Sequence, residues 1–94
     1  MAYTVRIKRE AARKLKSLSQ PERIRLTEKI QALGVNPDDL ALDVRKLEAS
    51  PFWRLRVGDW RVIYDRQDDV KVIAIEKIKP RGDTYKRMRR LRFR

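Results

Sequence analysis

The sequence predicts an α+β fold, in which a small antiparallel sheet packs against an N-terminal helical hairpin and a basic helix follows at the C-terminus. The sheet is expected to combine an N-terminal strand with a three-stranded meander. Residues 52–64 (FWRLRVGDWRVIY) contain two alternating runs on either side of Gly58-Asp59, and residues 70–78 (VKVIAIEKI) form a third β-type run. Apolar residues at helical spacing precede them. With 94 residues, the chain is expected to form a single domain, residues 1–94, around one modest core.

The first two strands of the meander alternate between apolar and basic side chains. Leu55 and Val57 fall on one face of the first strand, and Arg54 and Arg56 fall on the other. The second strand repeats the pattern, with Arg61 on the basic face. The sheet is therefore expected to have an apolar face toward the core and an opposite face with exposed cations. Three aromatic residues are expected in the core or at its rim: Trp53, Trp60 and Tyr64.

The N-terminal third of the chain predicts one strand and two helices. Residues 3–7 (YTVRI) alternate as in a short strand, and apolar residues around Leu15 recur at helical spacing. Ser19 and Glu22 have the spacing of a capping box at the start of the second helix. Gly34 is expected to end that helix. The two helices should form a hairpin across the sheet.

The segments that connect and follow these helices and strands have less regular patterns. Residues 36–39 (NPDD) have the composition of a turn. Residues 40–47 (LALDVRKL) fit either an irregular crossover or a helical turn that leads into the meander. Beyond the sheet, residues 80–83 (PRGD) predict a loop and residues 84–91 a strongly basic helix.

Charge is the strongest functional signal in the composition. The chain contains 25 Lys and Arg residues against 13 Asp and Glu, for a net charge of +12. The excess is +4 over residues 1–51 and +8 over residues 52–94. From Lys79 onward, eight basic residues face a single acidic one, Asp83. Such a field favours a polyanion, with nucleic acid ahead of a membrane surface; an acidic protein partner is the alternative.

Two absent residue types limit the chemistry. The chain has no cysteine and no histidine, so disulfides, thiolate or imidazole metal ligation and imidazole acid–base catalysis are excluded. We predict no metal site and no cofactor. The apolar runs are too short for a transmembrane helix, and the N-terminus lacks the pattern of a signal peptide, so a cytoplasmic location without membrane association is expected.

Two segments together resemble a known family. Residues 54–64 (RLRVGDWRVIY) and residues 78–87 (IKPRGDTYKR), in the predicted order strand–helix–helix–three strands, resemble the RelE/ParE superfamily of toxins from bacterial and archaeal type II toxin–antitoxin systems. RelE-type members are ribosome-dependent mRNA endonucleases, whereas ParE-type members inhibit DNA gyrase on a similar fold. The resemblance implies a cognate antitoxin, a toxin–antitoxin hetero-oligomer and, for the RelE branch, the ribosome and mRNA as partners.

The resemblance also implies which side chains act. Arg56 and Arg61 match basic positions on the central strands of RelE-like nucleases, and Arg81 and Tyr85 match positions in the segment that follows. The arginines would bind the scissile phosphate and stabilise the charge of the transition state. Tyr85 would stack on a base or transfer a proton. Further RNA contacts are expected from six residues: Arg54, Lys79, Lys86, Arg87, Arg89 and Arg90.

The general base stays open at the level of sequence. Arginine remains protonated at neutral pH and is a poor general base, and Lys79 and Tyr85 are the two candidates for the role. The leading hypothesis is a ribosome-dependent mRNA endonuclease that cleaves RNA without a metal and is neutralised by an antitoxin. The alternatives are a gyrase inhibitor without nuclease activity and a degenerate member that only binds RNA.

Overall fold

The computed structural model describes residues 2–80, and they form the predicted α+β fold. The elements are β1 (Thr4–Ile7), α1 (Arg9–Ser17), α2 (Gln20–Val35), β2 (Asp43–Lys46), β3 (Phe52–Val57), β4 (Trp60–Gln67) and β5 (Val72–Pro80). The five strands form one sheet in the order β1-β5-β4-β3-β2. The predicted meander β3–β4–β5 is confirmed as its antiparallel centre. The predicted C-terminal helix, at residues 84–91, lies outside the described residues.

The two edges of the sheet differ from the prediction in detail. β1 pairs with β5 in parallel, so the sheet is mixed. Residues 40–47, for which the sequence left two interpretations, contain instead the strand β2, which pairs antiparallel with β3. Alternation within one segment indicates which residues share a face, but it does not indicate strand direction or pairing partner. Both differences arise from contacts between distant segments.

The core lies between the two helices and one face of the sheet. Leu55, Val62 and Tyr64 are fully buried on this face, as the alternation of β3 and β4 predicts. The helices contribute four buried apolar side chains to the core: Ala11, Leu26, Ile30 and Leu33. Trp53 and Trp60 pack against the rim of this cluster. The rings of Trp53 and Tyr64 stack with their centroids 6.5 Å apart, and burial raises the pKa of Tyr64 to about 12.

The start of α2 is tied to the sheet through Glu22. Ser19 is the N-cap residue, as predicted, but its side chain caps no backbone N–H. Its hydroxyl instead donates to Glu22 Oε1 over 3.3 Å, and the indole N–H of Trp60 donates to Glu22 Oε2 over 3.0 Å. The capping-box prediction therefore identified the right residues but the wrong bonds. The carboxylate of Glu22 is used to fasten the helix to β4.

Gly34 serves close packing rather than helix termination. The helix continues to Val35 and has Asn36 as its C-cap, so the prediction that Gly34 ends α2 is wrong. A Cβ atom at Gly34 would lie 2.6 Å from Val5 Cγ2. The Gly34 carbonyl also accepts a 2.7 Å hydrogen bond from the Tyr3 N–H. The absence of a side chain thus lets β1 approach the end of α2.

Arg66 joins three segments at one end of the fold. Its guanidinium makes two hydrogen bonds to Asp38, at 2.8 and 3.0 Å, and a third to Asp68 at 2.7 Å. The Tyr3 hydroxyl donates to the same Asp68 oxygen over 2.8 Å. These bonds connect the turn after α2, the β4–β5 turn and the start of β1. We call these four residues the Arg66 clamp.

No helix between residues 2 and 80 is long and apolar enough to cross a bilayer.

Candidate functional site

The sheet face that points away from the helices carries a row of three directly opposed cations. Arg56 on β3 pairs with Arg61 on β4, and Arg61 pairs with Lys79 on β5. Their chain neighbours Val57, Val62 and Ile78 are buried in the core, so the three charged side chains project to the opposite face. We call Arg56, Arg61 and Lys79 the cationic row. Like charges directly opposite each other destabilise a sheet, which makes the row a site that an anion would stabilise.

A cavity of about 320 Å³ lies beside the cationic row on the same face. Its apolar lining comes from Leu47, Phe52 and Ile63. Five charged residues complete it: Arg54, Arg61, Glu76, Lys77 and Lys79. A lining that combines apolar side chains with four cations and one carboxylate suits a ligand that has a flat apolar part and an anionic part, as a nucleotide has.

A β-bulge in β5 determines which of its residues reach this cavity. Ile63 pairs with Lys77, but the next residue, Tyr64, pairs with Ile75, so Glu76 is an extra residue in the ladder. Strict alternation from Ile75 would direct residues 77 and 79 into the core. The bulge reverses the phase, so that Ile78 is buried and Lys77 lies beside Glu76 at the cavity.

The guanidinium groups at the site have unsatisfied hydrogen-bonding capacity. The Nε atoms of Arg54 and Arg61 are buried and have no hydrogen-bond partner among the described residues. The Arg54 side chain is only 13% exposed, and its Nη2 contacts Asp43 at 3.0 Å. Burial, assisted by Arg45, Arg61 and Arg56, lowers the pKa of Arg54, and Asp43 offsets part of this effect. A phosphate can accept hydrogen bonds from these N–H groups. Its negative charge would stabilise the charged form of the guanidinium groups, which burial disfavours.

The structure brings together four of the ten residues that the sequence predicted for the site: Arg54, Arg56, Arg61 and Lys79. The other six lie outside residues 2–80: Arg81, Tyr85, Lys86, Arg87, Arg89 and Arg90. Within the described residues, no group of three or more acidic side chains is placed to hold a metal ion.

The sequence prediction missed five residues of the cavity: Leu47, Phe52, Ile63, Glu76 and Lys77. One signal for the last two was present. Ile78 stands between two lysines and is out of phase with Ile73 and Ile75, which indicates an irregularity in the strand between residues 75 and 78. The apolar residues gave no such signal, because alternation alone does not separate a cavity floor from an ordinary exposed position.

Comparison with known proteins identifies the family. The family model described as the ParE toxin of type II toxin–antitoxin systems matches residues 5–85. A relative from Methanocaldococcus jannaschii, named as a RelE1 toxin, is 32% identical over 88 residues, which cover 92% of this chain and 98% of the relative.

Solved structures agree with this match. The archaeal RelE–RelB complex from Pyrococcus horikoshii has a chain 38% identical to this one, with a TM-score of 0.77 and coverage of 88% of this chain and 99% of that one. A mutant of the E. coli toxin RelE in the free state is 19% identical, with a TM-score of 0.72 over 92% and 90% of the two chains, and it supports the fold alone. The chain therefore belongs to the ParE toxin family of type II toxin–antitoxin systems, within the RelE/ParE superfamily.

Proposed function

We propose that this toxin is an endonuclease that cleaves mRNA on the ribosome in the cytoplasm and thereby inhibits translation. The observation that carries the proposal is the cationic row, in which Arg61 lies directly between Arg56 and Lys79. Three cations in line on the sheet suit one phosphate of an RNA strand, and the apolar side chains that line the neighbouring cavity suit the adjacent base.

The proposed chemistry requires no metal. The 2′-hydroxyl attacks the adjacent phosphorus, a phosphorane with extra negative charge forms, and the 5′-oxygen leaves. Preorganised guanidinium groups stabilise that charge without the cost of reorienting solvent. The partnerless Nε–H groups of Arg54 and Arg61 are donors for it. Arg81 and Tyr85 belong to the same proposed site, with Arg81 at the phosphate and Tyr85 against a base or in proton transfer.

We further propose a cognate antitoxin that forms a hetero-oligomer with this chain and covers the sheet face that carries the cationic row. The RelE chain from Pyrococcus horikoshii was crystallised with RelB, and the net charge of +12 on the present chain is suited to an acidic partner. A small acidic protein encoded beside this gene, which co-purifies with the chain and blocks RNA binding, is the expected finding. Failure of such a protein to bind would contradict this part of the proposal.

Inhibition of DNA gyrase is the second candidate function. It is favoured by the match to the ParE family model, since ParE-type toxins act on gyrase. In that case the same arginines would serve binding, and no RNA would be cleaved. A member that binds RNA without cleaving it is the remaining alternative.

Parallel assays on one protein preparation separate these functions. Primer extension on mRNA from expressing cells detects cleavage, and supercoiling of relaxed plasmid measures gyrase. We expect discrete mRNA cleavage, its loss in Arg61→Ala, its retention in Lys29→Ala, and unaffected supercoiling. Lys29 is exposed on α2, so its variant controls for loss of positive charge. Gyrase inhibition without cleavage would assign the ParE activity, and RNA binding with neither effect would leave a binding protein.

A further inference from the structure

Glu76 differs in one chemical respect from every other residue that lines the cavity. Leu47, Phe52 and Ile63 have no polar side-chain atoms, and the four cations around them carry N–H donors without an acceptor. Among the described residues at the cavity, Glu76 alone offers a side-chain oxygen that can accept a proton. Such a group accelerates RNA cleavage by attack of the 2′-oxygen, because it takes the proton of the 2′-hydroxyl.

The bulge in β5 gives Glu76 its neighbour at the cavity. The register shift beside Ile63 and Tyr64 makes Glu76 the unpaired extra residue, and it places an anion and a cation, Glu76 and Lys77, side by side at the cavity. Bulges are frequent next to active sites because they redirect a side chain. Without this one, strict alternation would aim Lys77 and Lys79 at the core. The irregularity thus turns the two lysines to the face on which Glu76 already lies.

The carboxylate of Glu76 is also held in place by an ion pair with Lys8. Glu76 Oε2 lies 3.1 Å from Lys8 Nζ, and the Glu76 side chain is 18% exposed. The Lys8 N–H donates to the Ile75 carbonyl over 3.0 Å, which fixes the chain next to the bulge. One carboxylate oxygen is therefore engaged by Lys8, on a side chain that also lines the cavity. A base restrained in this way loses little conformational freedom when it accepts a proton.

We propose that Glu76 is the general base of the cleavage reaction; this rests on the endonuclease function proposed above. Glu76 takes the proton of the 2′-hydroxyl, and the 2′-oxygen forms a bond to the adjacent phosphorus. The bond from phosphorus to the 5′-oxygen breaks, and that oxygen keeps the electron pair and takes a proton from water. The products are a 2′,3′-cyclic phosphate and a 5′-hydroxyl. Glu76 then releases its proton to solvent.

The test measures single-turnover cleavage of end-labelled mRNA on purified ribosomes, with the full-length toxin in excess, from about pH 6 to 8.5. A reaction that uses a carboxylate as its base should vary little in rate over this range, so a nearly constant wild-type rate is expected. Glu76→Gln should slow cleavage by about 10²–10⁴-fold. Its residual reaction depends on hydroxide and should rise about tenfold per pH unit. Glu48→Gln, which changes an exposed carboxylate outside the cavity, should match the wild type.

Two further variants distinguish proton transfer from a structural effect. Glu76→Asp keeps the carboxylate and should recover a large part of the rate together with the flat pH dependence. Glu76→Ala should be accelerated by added formate in proportion to its concentration, whereas Glu48→Ala should not. Neither result is expected if Glu76 merely offsets the surrounding cations. Binding of each variant to ribosomes and its thermal unfolding identify any variant that does not fold.

The possible outcomes separate this proposal from the function on which it rests. Cleavage by Glu76→Gln at the wild-type rate, or a wild-type rate that itself rises tenfold per pH unit, would overturn the role of Glu76 and leave the endonuclease intact. Folded Glu76→Asp and Glu76→Ala proteins without carboxylate rescue would overturn it as well. A wild-type protein that cleaves no ribosome-bound mRNA would overturn the endonuclease function itself, and with it the base.

Discussion

Arg56 and Arg61 occupy directly opposed positions on β3 and β4, so two guanidinium groups share one face of the sheet, and the acidic residue Asp43 lies opposite Arg56 on the other side, on β2. Lys79 extends the opposition on the other side of Arg61. An arrangement of this kind costs stability in the free protein and gains it when an anion binds. Stability is thus given up at the place where the proposed substrate phosphate binds.

The first prediction follows from this relationship. Arg61→Ala removes the central charge of the cationic row and a buried Nε–H without a partner. The free energy of unfolding should stay the same or rise, by up to about 1 kcal/mol, while growth inhibition is lost. Thermal unfolding and a growth assay at matched expression measure the two effects, with Lys29→Ala as the charge control. A toxic Arg61→Ala variant would refute the role of Arg61, and a large fall in melting temperature would make the residue structural.

A second prediction concerns the basic segment from Lys86. If it contacts ribosomal RNA, neutralising Arg89 and Arg90 together should weaken ribosome binding and flatten the dependence of log K on log salt by about 0.7–0.9 per lost phosphate contact. Single-turnover cleavage at saturating ribosome should change little. Arg61→Ala and Arg81→Ala should do the reverse. Binding titrations at several salt concentrations measure the slope, and equal effects of both sets on the cleavage rate would refute this division of roles.

A third prediction concerns the Arg66 clamp. Arg66→Met removes three hydrogen bonds to carboxylates and should lower the free energy of unfolding, by a modest amount because both carboxylates are exposed to solvent. Arg13→Met, at an exposed position of α1, should have little effect. Chemical denaturation of both variants provides the comparison. An Arg66→Met protein as stable as the wild type would mean that the clamp adds no net stability.

The clamp also makes stability depend on pH. Hydrogen bonds from Arg66 hold the pKa values of Asp38 and Asp68 below their ordinary value of 3.8. Because these folded-state values are depressed, the stabilisation is fully present above about pH 4 and is lost as the pH falls below it. The melting temperature of the wild type should therefore drop more steeply between about pH 4 and pH 2 than that of Arg66→Met. If the melting temperatures of the two proteins fell equally with pH, the hydrogen bonds of Arg66 to Asp38 and Asp68 would not be the source of the acid sensitivity.

A fourth prediction concerns Gly34. An added methyl group would lie 2.6 Å from Val5 Cγ2, and the β-branched valine has little freedom to turn away. Gly34→Ala should cost about 1–3 kcal/mol through overpacking, although alanine is the better helix former. In a Val5→Ala background the same change should cost less, and the difference between the two costs measures the contact. If Gly34→Ala cost the same free energy in both backgrounds, the contact with Val5 would not be the source of the cost.

The local patterns of the sequence determined much of the site. Alternation around Leu55 and Val62 assigned the buried face of β3 and β4, and it therefore placed Arg54, Arg56 and Arg61 together on the opposite face. These assignments succeeded because a strand directs successive side chains to opposite faces wherever it pairs. The helical hairpin was predictable for the same kind of reason, since its apolar period requires no knowledge of distant residues.

Only the tertiary structure decided how these segments meet. The parallel direction of β1, the identity of β2 as a strand and the bulge at Glu76 all depend on hydrogen bonds between segments far apart in the chain. The bulge had the largest effect on the site, because one extra residue in β5 exchanges the faces of everything after it. It brought Lys79 into line with Arg61, and it placed Lys77 at the cavity beside the carboxylate of Glu76.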